Sequence, residues 1–173
     1  MTTGTLQDFD ASILRPGDVL LYSGTGLFST LIKIKTWSRY THCEVYDGER
    51  TSVASRDGIG VGRYLIRLND LRVVVRPNGG LRVASGREWF ETVNGQKYDW
   101  LGLLSFTWAG LQGRRNDKMF CSEFAARYLR ECGFDPFNEY DADGIAPSEF
   151  AKNSELRVIW SAEGEPFRKG KAA

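Results

Sequence analysis

Three observations predict an α+β fold. Short β-branched and aromatic runs, each closed by Gly, Pro or Asp turns, recur from Val19 to Arg76. Helical periodicity takes over after Pro77-Asn78-Gly79-Gly80, and a second amphipathic pattern opens at Cys121. Together they predict helices bracketing a run of antiparallel strands.

Taken in order, residues 1–15 are a polar lead-in with room for one helical turn. Pro16-Gly17-Asp18 turns the chain into Val19-Leu20-Leu21-Tyr22, a short buried strand. Ser23-Gly24-Thr25-Gly26 is a tight turn and not a phosphate loop, because no Gly-Lys-Ser/Thr follows. Leu27, Leu31 and Ile34 share a face of a helix running to Trp37, where Trp37-Ser38-Arg39-Tyr40 would form an aromatic, cationic rim. Thr41-His42-Cys43-Glu44-Val45-Tyr46 reads as a strand, and Asp47-Gly48 as the hairpin turn into Arg50–Ser55. Strand alternation sets His42, Glu44 and Tyr46 on one face and Cys43 and Val45 on the other, which makes Cys43 a core residue.

Glycine-spaced residues 56–62 return the chain, with a bulge or a close backbone approach expected there. Leu71–Arg76 is a further strand, and Leu81–Val93 is helical with Trp89, Phe90 and Val93 toward the core. Tyr98–Trp108 is aromatic-rich, with Asp99 suited to a helix start. Arg114, Arg115 and Lys118 belong to a polar loop. The helix from Cys121 carries Phe124, Ala125, Tyr128 and Leu129 at helical spacing and stops at Gly133. Ala146–Phe150 starts a short helix, Leu156–Trp160 is the last strand, and residues 161–173 are a polar, basic, frayed tail. With no repeat or linker, residues 1–173 read as one domain with a core at about 16–160.

Composition narrows the function classes. A 42% hydrophobic and 26% charged chain of 173 residues is an ordinary globular protein. Its net charge of +1 offers nucleic acid or an anionic membrane no global attraction. No apolar run approaches the roughly 20 residues of a spanning helix. Met1-Thr2-Thr3-Gly4-Thr5 lacks the regions of a signal peptide. Three dispersed cysteines and one histidine supply no familiar zinc set, so neither a metal nor another cofactor is expected. A reducing compartment with free thiols follows.

The chemistry that does suit these residues is nucleophilic. A thiol in the first turn of a helix meets unpaired N–H groups and the positive end of the dipole, both of which favour the thiolate. A cysteine nucleophile needs a base, and His42 is the single histidine, so Cys121 pairs with His42 or with no imidazole. Glu44, two residues along the same strand face, could orient His42, although strand rise separates such side chains by about 7 Å. Ser52 and Ser55 on the next strand are alternatives for that role.

The order of the motifs resembles a known family. In NlpC-type cell-wall peptidases the cysteine helix precedes the Gly-Asp and histidine strands. Here Gly17-Asp18-Val19-Leu20-Leu21-Tyr22 comes first, and Thr41–Tyr46 with Asp47-Gly48 follows. Val53-Ala54-Ser55 and Gly60-Val61 are next; Tyr98-Asp99-Trp100-Leu101-Gly102 and Phe120-Cys121-Ser122-Glu123-Phe124 come last. That order is similar to the circularly permuted papain-like group of YiiX/YaeF-like amidases, with phage-encoded members and, more distantly, lecithin:retinol acyltransferase. The likeness covers about residues 16–130.

The resemblance implies a permuted papain-like fold in which an antiparallel sheet packs on helices. It implies Cys121 as nucleophile, His42 as base and Tyr98 beside the nucleophile. On the strand where the group carries its third polar residue this chain has Ser52-Val53-Ala54-Ser55, so Glu44 is the candidate partner. Tyr98, Ser55, Tyr22 and Trp37 are the candidates for lining a substrate cleft. The expected activity is a cysteine amidase or endopeptidase acting on a peptide, peptidoglycan peptides being one candidate. Two alternatives stand beside it. One is an acyltransferase or thioesterase on an acylated substrate, favoured by an apolar groove of Trp37, Trp100, Phe106 and Trp108. The other is a non-catalytic phage virion or assembly component with virion proteins as partners. The expected location is the cytoplasm or a phage virion.

Overall fold

The computed structural model describes residues 2–4, 9–24, 39–98, 119–138 and 145–162. Seven strands form one sheet: β1 (Thr2–Gly4), β2 (Val19–Tyr22), β3 (His42–Gly48), β4 (Thr51–Arg56), β5 (Gly60–Leu65), β6 (Leu71–Pro77) and β7 (Leu156–Ala162). Their order across the sheet is β1-β7-β6-β2-β3-β4-β5. β1 runs parallel to β7, and every other pairing is antiparallel. Among the described residues three helices accompany it, α1 (Val83–Val93), α2 (Cys121–Glu131) and α3 (Pro147–Lys152). The fold class is therefore α+β, as the segment pattern predicts.

β2 lies in the middle of the sheet with all four residues buried, which is why its sequence is an unbroken apolar run. Val19 and Leu21 join Cys43, Val45, Val53, Val73 and Val75 on the face covered by the helices. Leu20 and Tyr22 join Tyr46, Val74 and Trp160 on the other face, which Phe9 and Leu14 help to cover. Phe9 packs edge-on against Trp160 at 4.8 Å between ring centroids. The lead-in thus contributes core residues. Its described residues include a 3-10 turn, Ala11–Ile13, capped by the Asp10 carboxylate, which accepts from Ser12 N–H.

α2 buries Phe124, Ala125, Tyr128 and Leu129, the helical stripe read from the sequence. It ends as expected at Gly133, whose φ of +83° supports a Schellman closure. Phe134 N–H donates to Leu129 O at 3.0 Å and Gly133 N–H to Arg130 O at 2.9 Å. α1 crosses α2 through Gly86, where a Cβ would lie 2.4 Å from Cys132 Sγ.

Three expectations need correction. β1 had no signal, because three residues of Thr-Thr-Gly have no hydrophobic alternation to read. The β3–β4 hairpin turns at Glu49-Arg50, both at positive φ, and not at Asp47-Gly48. The register shifts between Tyr46 and Gly48, and the Asp47 carboxylate is held inward by Arg63 (2.9 Å) and Arg87 (2.7 Å), which moves the turn two residues on. Finally, Ser161 and Ala162 are buried residues of β7, paired with β1, and not the beginning of a frayed tail.

The helix expected to end at Trp37, the Asp99 cap, the aromatic set Trp100, Phe106 and Trp108, the loop of Arg114, Arg115 and Lys118, and residues 163–173 lie outside the described residues.

Candidate active site

Cys121 is the first residue of α2 and is 2% exposed. Phe120, in the cap position, has extended backbone and offers no side-chain oxygen, so no capping side chain takes up the first-turn amides. Two hydrogen bonds anchor this end of the helix. Ser122 Oγ donates to Ile145 O at 2.6 Å, and Ser55 Oγ donates to Met119 O at 2.5 Å. Tyr98 is buried and bridges Met119 in a parallel pairing, so it lies beside the segment that delivers the cysteine.

His42 begins β3, and register sets it opposite Tyr22. Its Nε2–H donates to Glu44 Oε1 at 3.0 Å, which leaves Nδ1 to face the Cys121 sulfur. The i,i+2 pair therefore meets, despite the separation that strand rise alone suggests.

Glu44 is completely buried and heavily solvated by protein. Arg56 donates through Nε at 2.8 Å and Nη2 at 3.1 Å, and Ser52 Oγ donates at 2.5 Å. Tyr22 OH donates at 3.4 Å, and Arg67 Nη2 lies 3.5 Å from Oε1. Arg56 in turn stacks on Tyr64 at 4.1 Å, and Arg67 stands over Tyr22 at 5.0 Å. Arg56, Arg67 and Tyr64 were missed by sequence reading. Arg56-Asp57 reads there as turn material, and nothing local reveals that its guanidinium returns across β4 to a carboxylate on β3.

The electrostatics follow from these contacts. Burial opposes charge on His42, but the Cys121 thiolate and then Glu44 outweigh it and lift the imidazole to about 9. Cys121 is held well below the usual thiol range, first by a hydrogen bond from the Cys43 thiol. Burial opposes this, and the His42 charge and the Cys43 backbone N–H reinforce it. Burial would also raise Glu44, yet His42 and Arg56 keep its carboxyl well below the ordinary carboxylate range. The shifts all favour a Cys121 thiolate beside a His42 imidazolium and an ionised Glu44, an arrangement of the kind that can attack a carbonyl and then protonate a leaving group.

Four residues were expected to line a cleft. Tyr98 lies beside Met119, two residues before Cys121. Tyr22, 1% exposed, stands behind Glu44 and supports its charge, and Ser55 is committed to the Met119 carbonyl, so both positions are structural supports of the site. Trp37 lies outside the described residues. Cys43, expected to be core, is fully buried in the core cluster it shares with Cys121, and it is foremost among the groups that lower the Cys121 thiol.

No family model and no curated protein matches the sequence. Among solved structures the chain is similar to the crystal structure of the metalloprotein YiiX from Escherichia coli O157:H7, with a TM-score of 0.62 and 16% identity. The match covers 85% of this chain and 97% of that one. The likeness is one of fold, to a protein of the group that the motif order resembles. Among the described residues no three His, Cys, Asp or Glu side chains are arranged to hold a metal ion, so the described donor set does not fit one. No described helix is long and apolar enough to cross a membrane.

Proposed function

We propose that this chain is a cysteine hydrolase of the permuted papain-like type that cleaves an amide bond in a peptide. One observation carries the reading: His42 reaches the sulfur of a helix-start cysteine through one ring nitrogen and a buried, ionised Glu44 through the other.

The Cys121 thiolate attacks the carbonyl carbon, and the charge that develops on oxygen falls near the amide end of α2. His42, protonated at Nδ1, donates to the departing amine as the tetrahedral intermediate collapses to a thioester. The neutral imidazole then takes a proton from water as the oxygen attacks the thioester carbonyl; the intermediate collapses with cleavage of the C–S bond, releasing the carboxylic acid and restoring the Cys121 thiolate beside protonated His42. Glu44 holds the ring in one orientation and stabilises the imidazolium; it needs no proton of its own. Arg56, Ser52 and Tyr22 keep Glu44 ionised, and so act as positioning residues.

The test is alkylation by a small thiol probe across pH, compared with Cys121→Ser and His42→Ala, followed by turnover of peptidoglycan-derived peptides and acyl esters. One thiol should react fast near neutral pH, be absent in Cys121→Ser and slow at least about 10-fold in His42→Ala. Peptide turnover should exceed ester turnover. A Cys121 no more reactive than Cys132 would overturn the reading and leave a non-catalytic component. Turnover of acyl esters alone would move it to acyl transfer.

A further inference from the structure

Hydrolysis needs one thiol, but the site holds two. β3 alternation turns Cys43 to the helix-covered face, where α2 packs directly on β3 and β4. Cys121, the first residue of α2, lies in the same buried cluster, and the Cys43 thiol is foremost among the groups that lower the Cys121 thiol. All three cysteines of the chain are free thiols in buried positions. Cys132 is eleven positions along the helix from Cys121, about 16 Å by helix rise, and packs against Gly86 instead.

We infer that Cys43 is a resolving thiol: a hydroperoxide oxidises Cys121, and Cys43 closes a reversible Cys43–Cys121 disulfide that protects the nucleophile. In the first step the Cys121 thiolate attacks a peroxide oxygen and the O–O bond breaks. The His42 proton leaves with the departing oxygen as water or alcohol, and Cys121, oxidised by two electrons, becomes a sulfenic acid. In the second step the Cys43 sulfur attacks Cys121; the S–S bond forms as the S–O bond breaks, and the departing hydroxide leaves as water with the Cys43 proton. The disulfide forms when the two sulfurs close to roughly 2 Å.

The order of events is built into the surroundings. Burial pushes the Cys43 thiol well up, so it remains a protonated donor while Cys121 is the thiolate that meets peroxide. The His42 side chain is 15% exposed, whereas Cys43 has no exposed surface. Without a neighbour of this kind a sulfenic acid at a low-pKa cysteine proceeds to sulfinic acid, which thiols do not reverse. The inference concerns sulfur chemistry and stands whether or not the site cleaves an amide.

The full-length reduced chain would be treated with hydrogen peroxide, then unfolded, its free thiols counted and its tryptic peptides mapped without reduction. The count should fall from three to one, with a single disulfide joining Tyr40–Arg50 to Met119–Arg127, and dithiothreitol should restore all three. Cys132→Ser should form the same bridge. In Cys43→Ala, prolonged peroxide should leave Cys121 as sulfinic acid that dithiothreitol does not recover, while the wild type regains its thiol. Absence of the linked pair, a bridge to Cys132 or between chains, or equal irreversible loss in the wild type and Cys43→Ala would each overturn the proposal. The wild-type peptide map decides the matter even if Cys43→Ala folds poorly.

Discussion

Glu44 has no exposed surface and carries a charge, which is tolerated because Arg56, Arg67, Ser52, Tyr22 and His42 replace the water it lost. Its neighbour His42 is the single histidine, so one proton NMR signal reports the whole pair. That signal should titrate near 9 in the wild type. In Cys121→Ser and in Glu44→Gln it should move down toward the ordinary value of about 6.5, because the partner charge goes while burial remains. The stability consequences have opposite signs. His42, raised on folding, contributes fully below about pH 6.5 and loses that contribution as pH rises through its folded value. Glu44, depressed on folding, contributes fully above about pH 4.3 and loses it as pH falls. Urea midpoints of the wild type and Glu44→Gln should therefore differ near neutral pH and converge in acid. Parallel curves down to the acid limit would contradict this account of Glu44.

At the scale of elements, the site depends on how α2 is docked. Its N-terminal end is held by Ser55 on β4 and by the Ile145 carbonyl, and its C-terminal half passes α1 at Gly86. A methyl at Gly86 would sit 2.4 Å from Cys132 Sγ and 3.0 Å from the Tyr128 ring. Gly86→Ala should cost about 1–3 kcal/mol in thermal unfolding. Ser55→Ala should cost a similar amount by stranding the buried Met119 carbonyl. It should also lower Cys121 alkylation, which Gly86→Ala, at the far end of the helix, should not. If both variants slow the thiol equally, α2 moves as one body and Ser55 has no local positioning role. The stripe of α2 and its glycine stop are readable in one dimension, because both are set by neighbours within one or two turns. The Glu49-Arg50 turn is not readable so, because Asp47 is drawn inward by Arg63 and Arg87 from two other elements.

Across the whole molecule, one buried ion pair ties the segment before β2 to the sheet. Arg76 on β6 donates to both Asp18 oxygens, at 2.7 and 2.8 Å, and to the Ile13 carbonyl at 2.6 Å. Asp18 also accepts from Arg15 N–H at 2.8 Å. Arg76→Ala leaves a carboxylate with 1% exposure unpaired and should cost about 3–5 kcal/mol. For a chain of this size that is a fall in melting temperature on the order of 10 °C. A loss under about 1 kcal/mol would show that the pair is effectively solvated.

What the sequence determined by itself is whatever short-range pattern can carry: the α+β class, strands β2, β3, β4 and β6, the cysteine at a helix start, and the faces of β3. Composition alone named the one available imidazole. Only the tertiary structure decided that Glu44 meets His42, that Arg56 and Tyr22 sustain its charge, that Ser55 serves the Met119 carbonyl, and that Cys43 faces Cys121. The reason is physical. Periodicity reports which side of an element is buried, but a buried polar atom is satisfied by whichever partner the sheet order brings within 3 Å or so, and that partner is distant in the chain.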